Sequence, residues 1–558
     1  MGDHSFRALA AACILLAGVV AYANTLDGDW VWDDASSVLL HAHVQDPSKF
    51  FQLFAEDQHA FGRGQGNFYR PLVSVTFMAD YLVTGLFEAP PGPEDSPTDL
   101  APLVFHISNM IWHILAALLL FTLLSRLKAP QFAALGTALI FVLHPLHTEA
   151  VAYISGRADM MSAVFILAGL CAVAANAGWL AAIGGAVSFA LGLLSKESSL
   201  IFPGLLALML LLQPGAVSAA PVRVRLLKLL PALAVLVGYI ALRATVLRFA
   251  TPEAAVSAPL GQRLIETCQA FAFYWKVLLW PTHLHMEQTL AGTPLWTAGL
   301  GALLLVLVIG TGVVARRAGQ RRIAFAIAWF LLTWLPISGI FPLNAPMAEH
   351  WMYVPMMGFW WAVTEIACLR GGERWERARK ILAYAACLAF LSLTVQRNED
   401  WDNNTRLFRS TLAENPASMR VHFNLAVTYQ DLEKNLPGAR RHYESVIALA
   451  AQEKARLGLP AEQLLDQEIE AQLGLGQVLL EQGQMLQATM AFRKLLPLAR
   501  AEAYRGVVSA AFLGLGECFL ADGDVAAANA HFTQAMKLEP GHGPAIEALI
   551  TGKPRTNS

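Results

Sequence analysis

Two adjacent carboxylates, Asp33 and Asp34, follow tryptophans in the stretch Trp30-Val31-Trp32-Asp33-Asp34. One carboxylate of such a pair can accept a proton from a hydroxyl nucleophile while its neighbour orients it or tunes its pKa. Taken alone, such a pair is more often a helix N-cap, here ahead of Ala35-Ser36. A second polar set is His144-Pro145-Leu146-His147-Thr148-Glu149, followed by Ser155-Gly156-Arg157-Ala158-Asp159. His144, His147 and Glu149 are metal-ligand types, but their spacing is not an established zinc pattern. The planar guanidinium of Arg157 suits an anionic phosphate, and Asp159 is either its salt-bridge partner or a helix cap. Ser195-Lys196-Glu197-Ser198 lies in a short turn between apolar segments, where Lys196 and Glu197 could simply snorkel as a pair. The last set is Glu349-His350-Trp351-Met352-Tyr353, whose aromatics alone would make an interfacial belt. Tyr69-Arg70-Pro71 adds one more cation.

These residues need a scaffold, and the composition names its solvent. Of the 558 residues, 56% are hydrophobic and 15% charged, with a mean hydropathy of +0.46. That is too apolar for a water-soluble chain of this length. A net charge of −2 offers no electropositive field for nucleic acid. Cysteines 13, 171, 268, 368, 387 and 518 are scattered, so neither a disulfide framework nor a zinc site is expected.

A spanning helix takes roughly 20 apolar residues. Spans are expected near 7–23, 103–124, 131–148, 159–176, 178–194, 198–213, 226–246, 295–314, 323–342, 351–369 and 381–396. Segments 263–280 and 69–87 are ambiguous; the former reads as interfacial or re-entrant, since it carries charge. With a cytoplasmic N-terminus, four basic clusters fall inside: Arg126/Lys128, Arg223/Arg225/Lys228, Arg316/Arg317/Arg321/Arg322 and Arg374/Arg377/Arg379/Lys380. Arg7, the apolar stretch and Ala21-Tyr22-Ala23 also fit a cleavable signal peptide, which leaves the later topology unchanged. About eleven spans then put all the polar sets and the C-terminus on the outer face. Intramembrane and interfacial charge at one face is a functional sign by default, with structural pairing as the alternative.

After residue 396 the composition turns soluble. LGLG recurs at 473–476 and 513–516, each followed by a turn glycine (Gly483, Gly523) and an aromatic (Phe492, Phe532). A third, less regular copy runs from Asn424-Leu425-Ala426 through Tyr429, Ala439 and Tyr443. Small residues let two antiparallel helices approach, and the aromatic fills the gap, the pattern of a tetratricopeptide array. The expected architecture is all-α: a polytopic helix bundle at 1–396 with a first outer loop at 24–102, a linker at 397–417, and a solenoid of about three repeats at 418–558.

Read in order, VWDD (31–34), YRPL (69–72), HPLHTEAVAYISGRADMMSAVF (144–165), LLSKES (193–198), AEHWMYVPMMGF (348–359) and QRNEDWDNNTRLFRSTLAENP (396–416) resemble the transmembrane and tetratricopeptide repeat-containing O-mannosyltransferase-like family. The resemblance covers nearly the whole chain. It implies a GT-C glycosyltransferase fold and transfer of a sugar, mannose or a similar hexose, from a polyprenyl-phosphate donor to Ser or Thr hydroxyls outside the cytoplasm. By that likeness Asp33 would be the base with Asp34 supporting it, in a single inverting displacement. Arg70, Arg157, Lys196 and His350 would hold the donor phosphate. Tyr69, His144, His147, Glu149, Asp159, Glu197, Glu349 and Tyr353 would shape the sugar and acceptor site. The resemblance fixes no cofactor, and a divalent cation bridging the donor phosphate and Asp33 is compatible with this set. The array would engage the acceptor protein. Two departures stand out: His350 replaces the family's usual Arg, making that charge pH-dependent, and the array is short. A short array fits a bacterial member in the inner membrane with an undecaprenyl-linked donor; a eukaryotic member would sit in the endoplasmic reticulum.

Two other function classes compete. A non-catalytic scaffold would use the repeats to recruit periplasmic or lumenal partners, its polar residues merely holding the bundle together. A transporter would show inverted repeats and midplane charge, and neither is visible.

Overall fold

The computed structural model describes residues 3–61, 68–87, 100–175, 178–213, 221–247, 259–290, 292–343 and 345–551. No strand occurs among them. The chain divides into two compact units, Met1–Leu407 and Phe408–Ser558.

In the first unit a helix occupies each of the eleven segments expected to span. Asp3–Tyr22, Leu103–Arg126, Arg157–Ala175, Leu230–Thr245, Trp296–Arg317 and Glu373–Asp400 lie at six of them. Across the described residues seven helical stretches are long and apolar enough to cross a membrane, or eight if a bent pair counts as one span. The bent pair is Gln131–Leu143 with Pro145–Val151, broken by 52° at His144-Pro145, because proline cannot continue the helical ladder. Seven or eight is fewer than eleven, and there is a physical reason. Four of the expected spans are short: Trp179–Leu193, Phe202–Leu212, Arg321–Trp334 and Pro355–Ala367. Each ends where the backbone unwinds, at 194–201 or 335–354, and that unwound chain lines a cavity. Irregular backbone survives at membrane depth only in such a place. One of the seven long apolar stretches, Glu502–Ala521, belongs to the second unit, where it packs against Val525–Leu538. Taken together, the apolar helices fit a multi-pass membrane protein.

The ambiguous segment 263–280 is a full helix, Leu260–Leu279. Its Phe271 ring meets Trp334 edge-on at 4.7 Å, and the backbone of Cys268 touches the neighbouring helix at Gly301, where any Cβ would strike the Cys268 carbonyl.

The segment expected as a linker, 397–417, holds the end of Glu373–Asp400 and the helix Asn404–Glu414. The second unit stacks helical hairpins: Met419–Val427 with Leu436–Leu457, Asp466–Glu481 with Met485–Arg493, and Arg505–Ala521 with Val525–Leu538. The repeat logic is visible atom by atom. A Cβ at Gly476 or Gly514 would enter the ring of Phe492, one at Gly474 the ring of Tyr443, and one at Gly516 the ring of Phe532. Gly483 and Gly523 make the hairpin turns with φ of 73° and 81°, a conformation that costs glycine nothing. Gly476→Val is therefore expected to destabilise the array by about 1–3 kcal/mol. Limited proteolysis of the full-length protein checks this, with cleavage confined to residues after 408.

Candidate active site

The loop that follows the first helix is pinned by the second carboxylate of its pair. Asp34 is fully buried; its Oδ2 accepts from the Val31 amide at 3.1 Å and its Oδ1 from the Ser155 amide at 2.8 Å. It makes no side-chain cap to the turn that follows, so its job is to tie this loop to the Gly156-Arg157 corner. Burial, with Asp33 beside it, pushes its carboxyl up to about 7 despite those hydrogen bonds. A carboxyl raised in the folded state favours folding most at low pH and loses that contribution as pH climbs through about 7. The thermal midpoint of the wild type should therefore fall between about pH 5 and pH 8 more steeply than that of Asp34→Asn, as differential scanning fluorimetry would read.

Asp33, by contrast, is half-buried and lines a cavity of about 540 Å3, within the ~300–1,000 Å3 usual for small-molecule sites. Its neighbour Trp32 holds a left-handed φ of 51°, strained for a bulky residue. Packing sustains the strain: the indole stacks on Tyr153 at 5.6 Å, Tyr153 stacks on Trp401 at 5.6 Å, and the Trp32 amide donates to Asn404 Oδ1 at 2.9 Å. The Tyr153 hydroxyl in turn hydrogen-bonds the Asp33 carboxylate.

The same cavity is lined by Arg70, Lys196, Glu197, Asp159, Glu149 and His350. They are crossed rather than paired along the sequence. Arg70 Nη2 meets Glu197 Oε1 at 2.9 Å, and Lys196 Nζ meets both Asp159 oxygens at 2.7 Å. Lys196 and Glu197 are thus not a snorkelling pair, and Asp159 is not the partner of Arg157. His350 Nδ1 lies 2.9 Å from Glu149 Oε1, and its amide donates to Glu149 Oε2 at 2.9 Å. Leu200, Ile201, Pro336, Ile337, Leu343 and Val354 add an apolar part to the lining.

Other expected site residues lie off the cavity wall. Arg157 has no exposed surface. Its guanidinium is taken by Asp80 Oδ2 (2.5 Å), Asn109 Oδ1 (2.6 Å), Thr76 Oγ1 (3.1 Å) and the Phe105 carbonyl (3.0 Å). A phosphate-binding role for it is set aside: it clamps the helices Pro71–Thr84, Leu103–Arg126 and Arg157–Ala175 to one another. Tyr69 donates its hydroxyl to the Phe54 carbonyl at 3.1 Å. His144 is buried; its Nδ1 accepts from the Leu146 amide and its Nε2 donates to the Leu278 carbonyl at 3.0 Å. His147 is buried among Phe141, His113 and Tyr353, and the Tyr353 hydroxyl bonds His113 Nδ1 at 2.7 Å. His144 and Glu149 bind different partners, whereas neither ring nitrogen of the buried His147 has a hydrogen-bond partner. Among the described residues no group of three or more His, Cys, Asp or Glu side chains is arranged to hold a metal ion. Glu349, also buried, meets Arg397 Nη2 at 3.3 Å and accepts from Gln288 Nε2 at 3.2 Å. Burial raises its carboxyl to about 7, against the pull of Arg397.

Several residues of this neighbourhood escaped the sequence reading: Asp80, Asn109, Tyr153, His59, Gln288 and Arg397. Arg397 stood within the QRNED stretch, a signal that could have found it. Tyr153 likewise stood within HPLHTEAVAYISGRAD, while Asp80, Asn109, His59 and Gln288 lie in apolar or irregular segments and carry no local pattern.

Sequence comparison now adds what geometry cannot. Over 438 residues, 75% of this chain and 60% of the relative, the protein is 25% identical to "Protein O-mannosyl-transferase F38B6.6" of Caenorhabditis elegans. It is 24% identical over 486 residues, 77% of this chain, to the human "Protein O-mannosyl-transferase TMTC3". A shorter stretch of 158 residues is 33% identical to "Protein O-mannosyl-transferase Tmtc2" of Drosophila melanogaster. The chain is a relative of the TMTC protein O-mannosyl-transferases. It spans between half and three fifths of the length of the two long O-mannosyl-transferase matches. No family model matches it, and no solved structure does. Similarity to these O-mannosyl-transferases over three quarters of the chain directs attention to the cavity that Asp33 shares with two cations.

Proposed function

We propose that the protein is a membrane glycosyltransferase that moves a sugar, mannose or a similar hexose, from a polyprenyl-phosphate donor to protein Ser or Thr hydroxyls on the non-cytoplasmic face. The observation that carries this reading is the composition of one cavity wall. A half-buried carboxylate, Asp33, lines one cavity together with Arg70, Lys196 and the apolar side chains of Leu343 and Val354. A lipid phosphate needs cations next to hydrocarbon-compatible surface, and a hydroxyl acceptor needs a base across from them.

In this reading Asp33 takes the acceptor proton as the acceptor oxygen attacks the anomeric carbon. The leaving phosphate departs toward Arg70 and Lys196, which gives inversion in a single displacement. Glu149, Asp159, Glu197 and His350 shape the polar end of the cavity, and the helical array engages the acceptor protein. Arg70→Met and Lys196→Met should each raise the donor KM more than tenfold, as loss of a charge-assisted contact of about 1.5–3 kcal/mol implies. Steady-state transfer from undecaprenyl-phosphate mannose to a Ser/Thr peptide measures this.

A second reading, a non-catalytic scaffold, gains from the fact that the cavity cations already hold protein carboxylates. Glycoproteomic comparison of wild-type and knockout membranes separates the two. Loss of O-linked hexose from Ser or Thr sites supports the transferase, and an unchanged glycoproteome ends it.

A further inference from the structure

His59 lines the same cavity as Asp33, and its ring is held through contacts at Nδ1. Its Nδ1 lies 3.0 Å from the Ser36 hydroxyl and 3.1 Å from the Ser37 hydroxyl. The single proton of Ser36 is committed to the Asp33 carbonyl at 3.0 Å. Ser36 then accepts at its other contact, which suits an Nδ1–H donor, while the Ser37 hydroxyl can pair with either tautomer. One Nδ1–H shared by both hydroxyls satisfies the geometry; the opposite tautomer would set two lone pairs against each other. The lone pair is left on Nε2, on an imidazole at the cavity wall.

The loop is built to hold this ring still. Asp57 Oδ1 accepts from the His59 amide at 2.8 Å and its Oδ2 from the Phe68 amide at 2.5 Å. The Gln58 amide donates to the Phe68 carbonyl at 2.9 Å, and the Phe68 ring meets His59 edge-on at 5.7 Å. The charged groups acting on His59 are Asp33, Arg70 and Asp57. Burial lowers its pKa, Asp33 and Asp57 raise it, and Arg70 lowers it further, so the ring is neutral and basic near pH 7.

We infer that His59 is a positioning residue that relieves Asp33 of the acceptor proton after each sugar transfer. The inference rests on the transferase reading. The acceptor oxygen bonds to the anomeric carbon while the bond from that carbon to the phosphate oxygen breaks, and its electron pair leaves with the phosphate. The hydroxyl proton passes to the Asp33 carboxylate, then to His59 Nε2, and from there to water. Asp33 is thereby returned to its anionic form without waiting for solvent to reach a half-buried carboxyl.

Two measurements on the full-length protein in detergent test this. In the first, diethyl pyrocarbonate labelling of His59 is read by peptide mass spectrometry from about pH 4 to about pH 8. Its midpoint should fall by ~0.5 pH unit or more in Asp33→Asn, because an anionic neighbour has been removed. An unchanged midpoint overturns the inference. In the second, His59→Gly should lower kcat for transfer from undecaprenyl-phosphate mannose about tenfold, leave the donor KM unaltered, lose the acid limb of the pH profile, and regain activity with added imidazole. A lower kcat with the pH profile intact and no rescue would make His59 mere packing and overturn the inference. If the label responds to Asp33→Asn while the wild type transfers no sugar, the Asp33–His59 pair is supported and the transferase reading fails.

Discussion

Asp33→Asn is expected to slow sugar transfer by about 10²–10⁴-fold while the protein accumulates in the membrane at its normal level. The amide keeps the shape of the carboxylate and can still accept from Tyr153, so folding has little reason to suffer. What it cannot do is take a proton. The contrast with its neighbour is the useful control. Asp34 is sealed away and answers to two backbone amides, so Asp34→Asn should act on stability, with any loss of rate tracking loss of protein. Single-turnover transfer normalised to folded protein by size-exclusion chromatography separates the two. Wild-type turnover in Asp33→Asn would remove the base and, with it, the reason to treat the cavity as catalytic.

Arg157→Met is expected to fail in the opposite way. Removing the guanidinium strands Asp80, which is itself buried, and breaking one side of a buried pair costs about 3–5 kcal/mol. The variant should be nearly absent from membranes, and the remaining molecules should turn over close to normally. Adding Asp80→Asn in the same chain removes the orphaned charge and should recover much of the abundance. Quantitative immunoblotting of membranes, paired with activity per molecule, reads both halves. An abundant but inactive Arg157→Met would mean that this guanidinium reaches the substrate after all.

These two variants mark where sequence reasoning reaches and where it stops. Arg70, Lys196 and His350 could be picked out because a charge beside long apolar runs is conspicuous, and the family resemblance orders them. Their partners could not. Lys196 and Glu197 are neighbours in sequence yet bind Asp159 and Arg70, since successive residues of an extended corner point in different directions. Arg157 looked like a ligand for phosphate because nothing in a linear reading connects it to Asp80, which sits alone in an apolar helix. His59 lies in an irregular loop with no periodicity to flag it. The helical repeats were the most legible part, because Gly476, Gly514 and Phe492 must fit one another whatever else surrounds them. The membrane helices were legible in place but not in length, since the unwinding at 194–201 and 335–354 follows from the cavity rather than from hydropathy.

The crossed ion pairs also govern what the cavity will ignore. A bare Arg and Lys would collect chloride, sulfate or any passing phosphate from the surrounding fluid. Here each already has a fixed carboxylate in contact, so a mobile anion must outcompete a tethered one before it gains anything. A small ion, bringing charge alone, has no second source of binding to offset that exchange. On the proposed reading a lipid phosphate would also bring a hydrocarbon tail, which apolar lining such as Leu343 can accept, and that contribution can tip the balance. Selection for a membrane-borne donor over free anions would then come from internal competition, and transfer should be nearly indifferent to added salt.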